Sequence, residues 1–405
     1  MLEIESVDAL LKEPANRLDP YPLYRSFREA GRLKTKLFDA WVLPTHADVA
    51  AVLRDPRLST NNRHQLGYDQ FREMAEQLEL GRILNLSQTV LLFLDPPDHT
   101  RIRRLVGKAF SVRAVEAMRP HIQELVDCLL EPVVDKHEMD VIADVAFPLP
   151  VTVISEMLGI PPADHDQLHE WTSVAVKLTD PGDDFSVFAV AEQVLGSFDT
   201  YFRDQIDDRR RNPGDDLLTA LIQVEDEGQQ LNEVELVSTM MLLYIAGHET
   251  TVNLVGNGLL ALLRHPDQQD LLRKDPSLVP TAVEEMLRYD SPVQLSARNA
   301  IEDVEIDGMT FTRGQQAVLL LGAANRDETF LDGADEFRID RKENRHLAFG
   351  GGIHLCLGAP LARLEAQVVL GSLVDRLPFL ELQVAEPPRK DTVTLRGLTS
   401  LPVGW

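Results

Sequence analysis

The sequence predicts a mainly helical protein with small β-sheets. Three observations carry that class. Apolar residues recur at helical spacing over long stretches. One uncharged run, broken only by His248 and Glu249, covers 236–263. Short β-prone runs with turn residues occur only near residue 40, between 301 and 321, and in the tail. The 405 residues are 44% hydrophobic and 26% charged, the composition of a soluble globular chain with a core large enough to need no disulfide or metal staple. No repeat, low-complexity tract or Gly/Ser linker divides the chain, so 1–405 is expected to form a single domain.

The elements follow in order. Ala40-Trp41-Val42-Leu43 reads as a strand, and Thr45, with Asp48 three residues on, caps the helix HADVAAVLRD. Helical spacing covers 100–119, 120–135 and, after the breaker DPGDD, 186–210. VEIDGMTF, with Asp307-Gly308 at its centre, predicts a hairpin, and Gly314 opens the short strand QAVLLL. The last helix runs from about Pro360 to Leu377, and the tail TVTLRGLTSLPVGW reads as short strands.

The run 236–263 is long enough for a membrane span. His248 and Glu249 split it into runs of 12 and 14 residues, and no basic residues bracket it as a topology signal requires. It therefore predicts the central core helix of a soluble protein, and its buried His, Glu and Thr ask for a functional reason.

Charge and cysteine count exclude several classes. Lys plus Arg is 40 against 65 Asp plus Glu, a net −25, the wrong sign for a general nucleic-acid binder. The two cysteines, Cys128 and Cys356, cannot build a disulfide framework and fit a reducing compartment. The opening MLEIESVDALLKEP has acids at 3, 5 and 8 and no apolar h-region, so no signal peptide or anchor is expected and the location is read as cytoplasmic.

The strongest chemical signal is Phe349-Gly-Gly-Gly-Ile-His-Leu-Cys-Leu-Gly358, followed by Ala359-Pro360 and a helix. Its four glycines permit tight backbone with N–H groups turned toward one point. Cys356 stands just before a helix N-terminus, where the dipole and free N–H groups favour a thiolate. Such a thiolate is a nucleophile, with His354 as the available base, or a metal ligand. Cys128, in HIQELVDCLLEPV, reads as a packed core cysteine, so no zinc cluster assembles nearby.

The spacing Phe349-x-x-Gly352-x-His354-x-Cys356-x-Gly358 resembles the haem-binding loop of the cytochrome P450 superfamily. The resemblance implies the P450 fold, with Cys356 as the thiolate ligand of haem b iron, Phe349 beside the sulfur and His354 on a haem propionate. Ala246-Gly247-His248-Glu249-Thr250-Thr251 resembles the family's acid–alcohol motif in the helix that crosses the haem. There Ala246 and Gly247 would border the cofactor, and Gly247 would allow a local bulge with room for dioxygen. Glu249 would feed protons inward and Thr250 would relay them. His99 and Arg103, four apart on one helical face, and Arg298 match the family's propionate anchors. Glu285 and Arg288 match a buried structural pair whose usual third partner, a basic residue before Phe337, is replaced here by Glu336; Arg338 or Arg341 stands in for it.

The implied reaction is monooxygenation: one atom of O2 enters a C–H or C=C bond of a largely apolar small molecule, such as a macrolide, terpenoid, steroid or fatty acid. Electrons would come from NAD(P)H through a separate ferredoxin or flavodoxin and its reductase. The basic run Arg101, Arg103, Arg104, Lys108 and Arg113 is the expected docking patch for that acidic donor. Expected substrate walls lie in 61–92 and 171–190, at Leu243, Ala246, Val293 to Leu295, and Leu398 to Thr399. The competing readings are a peroxide-driven or coupling haem-thiolate enzyme, a non-enzymatic haem-binding protein, and, outside the family, a cysteine hydrolase.

Overall fold

A computed structural model of the chain describes residues 3–4, 13–36, 39–180, 186–224 and 229–405. The central element is the helix Glu233–Leu263. Asn232 starts it with a full capping box, its side chain accepting from the Glu235 N–H while the Glu235 carboxylate accepts from the Asn232 N–H. Arg101 then pairs with Glu235, tying the helix Asp98–Gly107 to the same cap. Around the central helix pack the helices Pro148–Leu158, Ser186–Arg211, Val279–Tyr289 and Ala359–Arg376. Their apolar faces share one large core, which includes Phe198, Phe202, Tyr244, Leu259 and Leu364. Among the described residues, no helix is long and apolar enough to cross a membrane.

The strands lie to one side. Residues β1 (Glu3–Ile4), β2 (Leu33–Thr35), β3 (Trp41–Leu43), β4 (Leu58–Ser59), β6 (Leu295–Ala300) and β9 (Gln316–Leu320) form one sheet in the order β1-β2-β3-β9-β6-β4. Trp41 pairs with Ala317 in the parallel β3/β9 ladder, and Arg298 faces the same Ala317 across the antiparallel β6/β9 ladder. β5 (Glu138–Asp140), β10 (Glu381–Leu382) and β11 (Pro402–Gly404) make a second sheet. β7 (Val304–Ile306) and β8 (Met309–Phe311) are the predicted hairpin, with Asp307 and Gly308 both at positive φ as a type I′ turn requires. Thr45 caps His46–Arg54 as expected, its hydroxyl accepting from the Asp48 N–H.

Several expectations are corrected. The helix expected over 100–119 breaks into Asp98–Gly107 and Val112–Glu116, because the Ser111 hydroxyl accepts from the Ala114 N–H and starts a new helix. Cys128 is not a core residue. It is exposed, because Ile122, Val126, Leu130 and Val133 form the buried stripe of its helix and residue 128 lies off that stripe. In the tail only Pro402–Gly404 forms a strand, and 389–398 pairs through the isolated bridge Arg389↔Leu398. The breaker DPGDD falls, from residue 181, outside the described residues.

Two buried charge clusters fasten helices to irregular segments of the chain. Glu285 and Arg288 are almost fully buried and bond bidentately at 2.7 and 2.8 Å. The third partner is the Arg341 side chain, 3.1 Å from Glu285 Oε1, whereas Arg338 contributes only its backbone N–H. Asp290 accepts from Tyr21 Oη at 2.7 Å and pairs with Arg396 and Arg389, joining an N-terminal helix to the C-terminal segment.

Candidate active site

The cysteine loop is shaped by its contacts. Gly352 has φ +65°, and a Cβ there would stand 2.2 Å from the Leu53 carbonyl oxygen, so only glycine fits. The Cys356 N–H donates to Phe349 O at 3.0 Å, closing the loop on itself. The helix Ala359–Arg376 then begins at Gly358, with Pro360 in its first turn. Burial pushes the Cys356 thiol up, and this outweighs the opposing N–H groups of Gly358 and Ala359 and the charges of Arg103 and Arg363. This desolvation opposes the lowering expected from the helix N-terminus. Phe349 lies under the Arg363 guanidinium, 4.5 Å from its ring centroid, and Glu284 holds that guanidinium at 2.7 and 2.9 Å.

Four basic side chains gather beside the loop. Arg103 Nη2 donates to Leu355 O at 2.5 Å. One turn earlier, His99 is 2% exposed and neither ring nitrogen has a partner. Its ring lies 4.3 Å from that of His354, whose Nε2 meets Thr60 Oγ1 at 3.2 Å. Arg298 is 5% exposed and donates only to Ser296 Oγ and Ala297 O. Burial lowers it to about 10, and the only charge that offsets this is the more distant Asp95. His354 is pushed down to about 3 by burial and by His99, Arg298 and Arg103. Among the described residues, neither Arg103 nor Arg298 meets a carboxylate within ion-pair reach. Two arginines and two histidines crowded together without a counter-ion, one histidine with both nitrogens unpartnered, fit a buried group that carries carboxylates.

The hydrolase alternative loses both halves of its dyad. The thiol is held up by burial, and His354 is pushed down and engaged with Thr60.

On the central helix, Thr250 Oγ1 donates to Ala246 O at 3.0 Å. Ala246 is exposed although Tyr244 and His248 are buried, so this turn borders accessible space within the helical core. Glu249 Oε1 accepts from Lys390 Nζ at 2.5 Å and from Asn253 Nδ2 at 3.4 Å. Gly247 does not open the helix, which runs unbroken through it. Its missing side chain is needed by the neighbouring helix, since a Cβ would lie 3.0 Å from Ile154 Cγ1.

The sequence reading missed Lys390, Asn253, Thr60 and Glu365. Glu365, 1% exposed, is pushed up to about 8 by burial despite a hydrogen bond with Thr251, so it is a neutral acid below the acid–alcohol turn at neutral pH. A carboxylate inside the apolar run LARLEAQVVL was the signal for it. The expected docking run is partly engaged elsewhere: Arg101 is bound to Glu235, Arg103 to the cysteine loop, and Arg104 and Lys108 each hold a partner.

A cysteine just before a helix start, two arginines with no carboxylate in ion-pair reach among the described residues, two histidines beside them and an acid–alcohol turn on the central helix are the features expected of a haem-thiolate protein. The cytochrome P450 family model matches residues 176–403. A cytochrome P450 of Priestia megaterium, CYP107DY1, is 42% identical over 96% of this chain and 97% of its own length. A vitamin D(3) 25-hydroxylase of Pseudonocardia autotrophica is likewise 42% identical, over 95% of this chain and 93% of its own. The crystal structure of Mycobacterium smegmatis CYP164A2 superposes with a TM-score of 0.91 at 40% identity, covering 99% of this chain and all of that one. The chain belongs to the cytochrome P450 family and is a monooxygenase.

Proposed function

We propose that Cys356 ligates the iron of haem b and that His99, Arg103, Arg298 and His354 hold its propionates. Phe349, Gly352 and Gly358 shape the loop around the sulfur, and Ala246 and Gly247 belong to the helical turn above the cofactor. When bound, the thiolate-ligated haem supplies the activation of dioxygen. The rest is the work of side chains. Monooxygenation of RH follows RH + O2 + 2H⁺ + 2e⁻ → ROH + H2O, so two protons must arrive in step with two electrons. Glu249 supplies them at the edge of the core and Thr250 hands them inward.

The electrons come from NAD(P)H through a separate ferredoxin or flavodoxin, which docks on the cysteine side near Arg113 and the exposed parts of its neighbours. The substrate is a largely apolar molecule of steroid, macrolide, terpenoid or fatty-acid type. The name of the 25-hydroxylase relative supports this. The chain acts as one domain over 1–405, and its two free cysteines fit the cytoplasm.

The observation that carries this reading is the set of four basic groups at the cysteine loop, whose two arginines meet no carboxylate within ion-pair reach among the described residues. The test is the absorption spectrum of the reduced protein under carbon monoxide. A strongly red-shifted Soret band, lost in Cys356→Ala, is expected. A band at the ordinary position, or none after expression with ample haem, would overturn it.

A further inference from the structure

The carboxylate of Glu249 is held by a ring of contacts that leaves the central helix and returns to it. Lys390 Nζ binds Glu249 Oε1 at 2.5 Å, and the Lys390 side chain keeps 24% of its surface exposed against 12% for Glu249. The Lys390 N–H donates to Gly397 O at 3.1 Å across the 389–398 hairpin. Gly397 lies against the buried Asn253, where a Cβ would stand 1.9 Å from Oδ1. Asn253 Nδ2 in turn donates to Glu249 Oε1 at 3.4 Å. Both donors converge on one oxygen, so the carboxylate has one orientation, turned toward the hairpin.

The hairpin is fixed at its other end. Asp180, at the end of the stretch that follows the helix His165–Ala175, accepts from the N–H of Thr394 at 2.7 Å and of Val393 at 3.2 Å. Thr394 Oγ1 donates to Thr179 O at 2.8 Å. One small hairpin therefore touches an expected substrate wall, 171–190, through Asp180 and the relay acid through Lys390.

Among the described residues, three titratable groups face Glu249: Lys390 from the hairpin, His169 from the helix His165–Ala175, and His248 from the central helix itself. His248 Nδ1 lies 2.8 Å from Tyr244 O, and since a carbonyl only accepts, that nitrogen carries the proton of a neutral ring. Burial pushes His248 down to about 4 and lowers His169 as well; Asp166 and Glu170 act on His169 without reversing this. The ion-pair partner of Glu249 is thus Lys390.

We infer that Lys390 is a positioning residue for proton delivery: it orients Glu249, and the hairpin that Asp180 anchors orients Lys390. The inference rests on the Glu249–Thr250 relay proposed above and adds the element that aims it. When the acid is misaimed, two electrons and two protons leave as hydrogen peroxide, O2 + 2H⁺ + 2e⁻ → H2O2; without substrate the competing course takes four of each to water, O2 + 4H⁺ + 4e⁻ → 2H2O.

The holoenzyme is supplied with NADPH, a small ferredoxin and its reductase, without substrate, and peroxide is counted against electrons consumed. Lys390→Met raises the peroxide share relative to water severalfold, since misplacing a catalytic group by about 1 Å can cost up to about 100-fold in its step. Lys390→Arg restores the wild-type ratio, because a guanidinium reaches the same oxygen. Asp180→Asn loosens the hairpin and moves the ratio the same way by a smaller factor. An unchanged ratio in Lys390→Met, or equal impairment in Lys390→Met and Lys390→Arg, overturns the inference. Failure of the site reading itself is separate: wild-type protein would then lack the red-shifted carbon monoxide band.

Discussion

Replacing Glu285 by Gln removes one charge from the most buried ion pair among the described residues. The Glu285 carboxylate receives five donors: Nε and Nη2 of Arg288, Nε of Arg341, Nδ2 of Asn344 and the Arg338 N–H. Arg288 and Arg341 side chains are 2% and 7% exposed and have no other carboxylate partner among the described residues. Glu285→Gln leaves two guanidinium ions in the interior without a counter-charge and sets an amide NH2 against their donors. Breaking a buried pair costs ~3–5 kcal/mol. An unfolding entropy of ~2.1 cal/mol/K per residue gives this 405-residue chain about 0.85 kcal/mol/K, so ~4 kcal/mol corresponds to a melting point lower by ~5 °C. The assay is thermal unfolding of the haem-loaded protein followed by far-UV circular dichroism. Glu116→Gln serves as the control, because its 2.9 Å pair with Arg119 lies on the surface, with side chains 51% and 42% exposed. The control should fall by about 1 °C or less. Equal shifts in the two variants would refute the claim that burial, rather than pairing as such, gives the Glu285 network its weight.

Three further outcomes follow from the same geometry. Glu284 is raised by burial, but its bonds to His346 and Arg363 win and lower it to about 2 from 4.5. A depressed carboxylate stabilises fully above its unfolded pKa and loses that contribution as pH falls through the folded one, so wild type should lose up to ~3 kcal/mol between about pH 4.5 and 2. Glu284→Gln should flatten that part of the stability–pH curve, and an unchanged slope would contradict it. Gly352→Ala forces a Cβ against the Leu53 carbonyl oxygen at a positive φ; haem content after purification should fall by more than half with an unchanged far-UV spectrum. Arg298→Leu removes a buried cation that, among the described residues, forms no ion pair with a carboxylate; haem transfer to apomyoglobin should quicken about tenfold, as loss of a charge-assisted hydrogen bond predicts, and an unchanged rate would remove Arg298 from the cofactor's shell.

Local signals in the sequence were read correctly where local physics decides. The Asp307-Gly308 turn, the Thr45 cap and the buried central helix all depend on a few adjacent residues, and all are present. The cysteine loop was legible for the same reason, since its glycines and its helix start are contiguous. Readings failed where a distant neighbour decides. Gly247 was taken as a flaw in its helix, but Ile154 of another helix explains it. Arg101 looked like surface until the central helix brought Glu235 to it. The helix N-terminus was read as lowering the Cys356 thiol, and desolvation by groups distant in sequence acts against it. Lys390 lies 141 positions from Glu249, and no pattern in a single sequence announces such a pair.

The parallel pairing of β3 with β9 has a consequence for how the protein is made. Trp41, Val42 and Leu43 find their partners Ala317, Val318 and Leu319 only after some 280 further residues have left the ribosome. At 5–20 residues per second that interval is roughly 15–55 s. Throughout it, a strand of three apolar residues keeps one edge open. Synthesis slowed between residues 43 and 316 therefore lengthens the exposure of an aggregation-prone edge. Yield of this enzyme in a foreign host should follow translation speed and chaperone supply over that stretch more closely than it follows the stability of the finished fold.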